Sequence, residues 1–187
     1  MMRNKGFTLL ELVISIAILA IISLTLTTII IRYGIHYQKQ QTEVQANLSN
    51  RFVLDEISTR IRESRTIADQ TTVDGQIYTT GANTLVLKAL SIDANGNTIA
   101  ETFDYIIFYQ DSTQTTKFIK KVAPNALSKR LSVNQVLTAN LKQITFTYDN
   151  PTPSSANSVT IDLRTEETSG GQTKEAQGQA KTTLRNF

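Results

Sequence analysis

From Phe7 to Ile31 the chain is almost continuously apolar, with Glu11 as an acidic interruption near the start of the run. At 1.5 Å rise per residue, about 20 apolar residues cross a bilayer as a helix, so the run is long enough to span one. A carboxylate carried to the bilayer centre costs roughly 2.5–3.5 kcal/mol on insertion scales, so Glu11 calls for something that offsets it. Ala17, Ala20 and Ser23 recur at three-residue spacing and line small side chains along one face. Such a face lets helix backbones approach closely, although small residues are also common throughout membrane helices. Ser15, Thr25, Thr27 and Thr28 can bond back to carbonyls one turn earlier and need no outside partner.

From Arg32 to about Ala68 the pattern stays helical but becomes amphipathic. Val44, Leu48, Phe52, Ile57 and Ile61 are the expected buried face, with Gln, Glu, Asn and Arg elsewhere and a Glu56–Arg60 pair on the solvated side. One long helix is therefore predicted. The alternative is a break at Gly34, because a mid-helix glycine costs about 1 kcal/mol relative to alanine. After Gly75 the period changes to two. Strands are predicted at 76–79, 84–91, 102–110, 117–122, 143–148, 158–165 and 181–185, and the alternation is clearest in Ile144/Phe146/Tyr148 and Val159/Ile161/Leu163. The stretch from Glu166 to Ala180 has no apolar residue larger than alanine and reads as a mobile loop. A long helix followed by a meandering antiparallel sheet is an α+β fold.

The residues leading into the apolar run are Lys5-Gly6-Phe7-Thr8-Leu9-Leu10-Glu11. If the Gly6–Phe7 bond is cut, Phe7 acquires a free amine one helical turn from Glu11. That cation is poorly aimed at its own Glu11 and well placed for a neighbouring subunit shifted along the same axis. Met1 to Leu24 resembles the N-terminus of type IV prepilins and type II secretion pseudopilins: a short basic leader ending in glycine, then Phe-Thr-Leu-hydrophobic-Glu, then about twenty apolar residues. The C-terminal part, Val159 to Leu163, a polar loop, then Thr183-Leu184-Arg185-Asn186, resembles minor pilins and J-type minor pseudopilins. One departure is that many major pilins carry a proline several turns into the helix, whereas Phe7 to Ile31 has none. A continuous helix, or one loosened near Gly34, is expected instead.

The resemblance implies a pilin-like fold with three parts: a leader at 1–6, a transmembrane and filament-core helix at 7–31, and an amphipathic helix with a β-rich exported head at 32–187. It implies processing by a prepilin peptidase between Gly6 and Phe7, with methylation of the Phe7 amine. Glu11 becomes the assembly residue, paired with the Phe7 amine of an adjacent subunit. The implied partners are other pilin or pseudopilin subunits, the peptidase, an inner-membrane assembly platform and membrane lipid. Arg3 and Lys5 precede the apolar run and place the N-terminus in the cytoplasm, with the head outside the membrane. A secretory signal peptide would instead have a 7–15-residue core and a small-residue cut after it, and the run continues well past Ala17 and Ala20. A membrane-anchored, non-polymerising binding head, such as an adhesin or sensor, is the alternative function class. Such an anchor has no use for Glu11 at this spacing.

Composition adds few constraints. The net charge of +3 falls to +1 once Arg3 and Lys5 leave with the leader, and no basic-aromatic stripe in the head points to nucleic acid. There are no cysteines and one histidine, His36, beside Tyr33 and Tyr37 just past the apolar run. An interfacial polar residue in an aromatic belt is the expected role for His36. No enzyme constellation and no cofactor site emerges. One metal-like loop exists: Asp93, Asn95 and Asn97 alternate oxygen ligands, with Glu101 and Asp104 at the ninth and twelfth places of an EF-hand count. Thr98 stands where that loop wants glycine, so a hairpin turn on Asn95-Gly96 is the reading set against calcium.

Overall fold

A computed structural model describes residues 8–185 of the chain. Helix α1 runs Leu9–Glu63, 55 residues without a break at Gly34. It stops before the expected end near Ala68, where the Ser64 hydroxyl donates to the Arg60 carbonyl (2.6 Å) and the Ser64 N–H to the Ile61 carbonyl (3.2 Å). The chain divides into two compact units, 1–41 and 42–187. In the first, every described residue is exposed. Its apolar side chains have no core of their own, as expected of a segment whose solvent is not water.

The second unit is built from the rest of α1 and ten strands. These are β1 (Thr66–Ile67), β2 (Gln70–Val73), β3 (Gln76–Thr79), β4 (Thr84–Ile92), β5 (Thr98–Gln110), β6 (Phe118–Ala123), β7 (Val133–Thr138), β8 (Leu141–Tyr148), β9 (Ser158–Ser169) and β10 (Gln172–Thr183). All pairings are antiparallel. They form a five-stranded sheet in the order β1-β4-β5-β6-β7, a three-stranded sheet β10-β9-β8 and the hairpin β2-β3. This is the α+β, pilin-like architecture expected from the sequence.

One core joins the helix to both larger sheets. Val53, Ile57 and Ile61 of α1 pack with Leu85, Leu87, Ile106 and Phe108 of one sheet and Ile144, Val159 and Ile161 of the other. Phe118 bridges the sheets, 6.3 Å from the Phe108 ring and 6.4 Å from the Phe146 ring. Glu56 adds a polar tie, accepting from Arg60 Nε (3.0 Å) and from the buried Lys120 Nζ (2.7 Å) on β6.

The helix face differs from the sequence expectation. Ile57 and Ile61 are buried, but Val44, Leu48 and Phe52 are each more than half exposed. The residues that meet the sheets are Thr42, Ala46, Asn50, Val53, Leu54, Ile57, Ser58 and Ile61. At roughly 100° per residue, each four-residue step drifts about 40°, and the five-residue step from Phe52 to Ile57 adds about 140°. The apolar series therefore wraps from one face to the opposite one. Residues that approach a sheet closely are small or polar here, which an apolar count passes over.

The segment Glu166 to Ala180 is a second correction. It is not a loop: β9 and β10 pair residue for residue from Ser158↔Thr183 to Ser169↔Gln172. Gly170 (φ 57°) and Gly171 (φ 74°) supply the two left-handed residues that a tight hairpin turn requires. The strand expected at 181–185 is the end of this longer β10. At Gly178 an added Cβ would lie 2.3 Å from Asn50 Oδ1 and 2.6 Å from Leu54 Cδ1, so only glycine lets α1 lie this close to β10.

Candidate functional site

Gly6, Phe7, Arg3 and Lys5 lie outside the described residues, so the site is read from Thr8 onward. Thr8 is the residue before the first helical position and Glu11 is the third residue of the helix. The Thr8 N–H and hydroxyl both donate to Glu11 Oε2, each at 3.0 Å, while the Glu11 N–H donates to Thr8 Oγ1 at 3.3 Å. This is a reciprocal capping box, which satisfies two of the N–H groups a helix start leaves without partners. The helix N-terminus also carries partial positive charge, which favours a carboxylate there. The offset that Glu11 calls for is thus supplied in part by its own chain. Thr8 was missed as a site residue, although the Thr-x-x-Glu spacing ahead of an apolar run is a legible signal.

Further along α1, hydroxyls bond to carbonyls one turn back: Ser15 to Glu11 (2.7 Å), Thr25 to Ile21 (2.8 Å), Thr27 to Ser23 (2.8 Å) and Thr28 to Leu24 (2.9 Å). These polar groups need no outside partner, as expected. Ala17, Ala20 and Ser23 are exposed, as are Tyr33, His36 and Tyr37. Val44, Leu48 and Phe52 form an exposed apolar stripe at four-residue spacing on the head half of the helix.

In the head, the Asp93–Asn97 loop is organised around its own carboxylate. Asp93 Oδ1 accepts from the N–H groups of Asn95 and Asn97, both at 2.8 Å, and Oδ2 accepts from Asn97 Nδ2 at 3.3 Å. The Asn97 N–H bond, then that of Asn95, holds the Asp93 carboxyl below the usual range. Gly96 has φ 83°, as the hairpin reading requires. Asp104 is engaged elsewhere. It is fully buried and accepts from the Ser91 hydroxyl, the Asn125 N–H, the Ser128 hydroxyl (each 2.8 Å) and Arg130 Nε (2.9 Å). Burial pushes its carboxyl up, and these bonds outweigh that and hold it lowered. Among the described residues no group of three or more His, Asp or Glu is placed to hold a metal ion. Asp104 pins the 124–130 segment rather than closing a calcium loop.

No curated protein and no solved structure matches the chain. Residues 1–27 match the family model described as the prokaryotic N-terminal methylation motif. That segment contains the basic leader, Gly6, Phe7, the Thr8–Glu11 cap and most of the apolar run, and the helix it opens is long and apolar enough to cross a membrane. The chain thus carries a prokaryotic N-terminal methylation motif, the segment in which it is similar to type IV prepilins.

Proposed function

We propose that this protein is a minor pilin or pseudopilin, a structural rather than enzymatic subunit of a type IV pilus, type II secretion or competence filament. The observation that carries the reading is the methylation motif over residues 1–27, with Glu11 held at the mouth of an exposed apolar helix. Prepilin peptidase cuts between Gly6 and Phe7 and the new amine is methylated. Residues 7–31 store the subunit in the plasma membrane, with the N-terminus cytoplasmic and the head outside. The assembly platform then passes it to neighbouring subunits.

Cutting before Phe7 leaves the Thr8 N–H as an ordinary amide, so the capping box survives processing. A carboxylate has acceptor sites beyond the two bonds Thr8 makes, so Glu11 can hold its cap and take a neighbour's Phe7 amine together. In a low-dielectric core such a pair is strong and fixes register, because a partner left behind is a buried unpaired charge. The minor assignment rests on the C-terminal strand followed by Leu184-Arg185-Asn186, of which Asn186 lies outside the described residues.

The test is the intact mass of the protein purified from membranes. A chain beginning at methylated Phe7 is expected. A start at Met1, or after Ala20, overturns the processing scheme. Co-sedimentation with sheared filaments then separates a filament subunit from a non-polymerising binding head.

A further inference from the structure

The loop between β6 and β7 is pinned from below and still leaves its leucines bare. Asp104 accepts from its Asn125, Ser128 and Arg130, and the Lys129 N–H donates to the Ile92 carbonyl at 2.8 Å. Leu127 and Leu131 on the same loop are 68 % and 79 % exposed. Scattered exposed leucines are ordinary on a protein surface, but Leu131 belongs to a larger feature. It borders two adjoining depressions of about 340 and 320 Å³ that share Ile92 and Arg130 and are lined mostly by apolar surface. Their walls come from the last turns of α1, the end of β4 (Leu90, Ile92), Leu131 of the loop and Val133 of β7. Because Asp104 fixes the loop, this groove is formed before anything enters it.

The groove is edged by cations: Arg60, Lys120, Lys129 and Arg130 line it, with Glu63 as the carboxylate among them. Arg60, Lys120 and Arg130 are tied to carboxylates of their own head. Lys129 is exposed and, among the described residues, has no ion-pair partner. The same chain carries a surface of the complementary kind. Val44, Leu48 and Phe52 stand more than half exposed along α1 at four-residue spacing. At about 100° per residue, Asp55 falls within about 20° of both Val44 and Leu48 and so continues the stripe by one turn. Asp55 is exposed and, among the described residues, also has no ion-pair partner. Arg51, the cation within the stripe, matches the groove's Glu63 in the same way.

We propose that the groove of one copy of this chain receives the Val44–Leu48–Phe52 face of a second copy, with Asp55 of the incoming helix paired to Lys129. An amphipathic helix laid into an apolar groove is recognised through anchors at this kind of spacing. Charge decides the occupant. A small anion would meet Lys129 and leave the apolar walls bare, and an acyl chain would fill the walls and leave Lys129 without a partner. The stripe supplies both the apolar side chains and the carboxylate. Groove and stripe are different surfaces of one chain, so the contact is heterologous: each copy that docks still offers its own groove to the next, and the contact repeats. Repetition of this kind is what a filament needs, and the inference rests on the filament reading proposed above.

The chain has no cysteine, and Leu48 and Leu131 are exposed, so introduced thiols report contact without disturbing the core. Cells producing the full-length protein with Leu48→Cys and Leu131→Cys together are treated with a mild oxidant, and the chains are separated on non-reducing gels. A ladder of disulfide-linked dimers and longer multimers is expected, while either single variant stays monomeric. Lys129→Glu in the double-cysteine chain should cut the ladder by about two- to fivefold, the size of an exposed ion pair. Adding Asp55→Lys should restore it, which general damage to the head would not do. Sheared filaments from the same cells are sedimented in parallel. No ladder from chains that co-sediment overturns the inference and leaves the filament reading standing; a ladder from chains that do not co-sediment does the reverse, and absence of both overturns both. Dimers from either single variant, or a ladder indifferent to Lys129→Glu, also overturn the inference.

Discussion

Asn50 holds the head together at the point where α1 crosses the second sheet, and its removal is the sharpest test of the packing. The side chain is 3 % exposed, and its Nδ2 donates to the Leu163 carbonyl on β9 (3.1 Å) and the Ala176 carbonyl on β10 (3.2 Å). Asn50→Ala removes both bonds, while each carbonyl keeps its place in the β9–β10 ladder. An intramolecular hydrogen bond contributes about 0.5–1.5 kcal/mol net, so losing the pair is expected to cost about 1–3 kcal/mol. For a chain of this size each kcal/mol shifts the melting temperature by about 2–4 °C, so a fall of roughly 2–12 °C is expected. Denaturant unfolding followed by circular dichroism measures it. Gly178→Ala, which drives a Cβ into Asn50 Oδ1 and Leu54, should cost about 1–3 kcal/mol by overpacking. Because Asn50 supplies the nearer clash, the double variant should be less destabilised than the sum of the two. A loss below about 0.5 kcal/mol for Asn50→Ala, the size of an ordinary surface substitution, or strict additivity with Gly178→Ala, would refute this account of how helix and sheet are joined.

Glu11→Val removes both the cap partner of Thr8 and the carboxylate offered to a neighbour; the protein should still be cut and remain in the membrane, but be missing from sheared filaments, and wild-type incorporation contradicts the assembly role. Asp104 binds its proton less tightly folded than unfolded, so its contribution is complete above the ordinary aspartate range near 3.9 and is lost as pH falls toward the lowered folded value. Asp104→Asn should therefore flatten the acid limb of melting temperature against pH, and an unchanged limb argues against it. Residues 32–187 made without the apolar run should give a mixed helix and sheet spectrum; a coil spectrum excludes an independent head. Added calcium should barely move the melting of that fragment if Asp93 serves its own turn, and a rise of several degrees would restore the metal reading.

The parts of the fold that were legible in the sequence are those where burial follows apolar count. The uninterrupted helix follows from an apolar run with no proline, and β4, β5, β8 and β9 from alternation in segments such as Ile144/Phe146/Tyr148. Only the end of strand β10, in the strand predicted at 181–185, was legible, because its other residues are small or polar and their identity comes from pairing with β9 across Gly170-Gly171. The short β1 and β7 are likewise ordered by pairing, with β4 and β6, and β2 by its local hairpin with β3. The buried face of α1 hid for a related reason. A helix laid close on a sheet needs Thr42, Ala46 and Asn50 at the contact, and no apolar periodicity marks them. At the N-terminus the spacing of Gly6, Phe7 and Glu11 was legible, while the pairing of Glu11 with Thr8 needed the cap geometry.

That inversion of the helix bears on function. In the head half of α1, the side chains turned to the sheets include Thr42, Ala46 and Asn50, while Val44, Leu48 and Phe52 are turned to solvent. A chain selected only for the stability of an isolated head would gain by the reverse arrangement, since burying each such side chain is worth about 1.5–3 kcal/mol. Contiguous exposed apolar side chains instead mark surfaces that meet another molecule. A membrane would account for the apolar run of residues 7–31, but Val44, Leu48 and Phe52 lie among the exposed Gln45, Asn47 and Arg51, which are unsuited to hydrocarbon. A protein partner accounts for both the apolar stripe and its polar flanks. Under the function proposed above that partner is a neighbouring subunit of the assembly, whereas a solitary anchored head leaves the stripe unexplained.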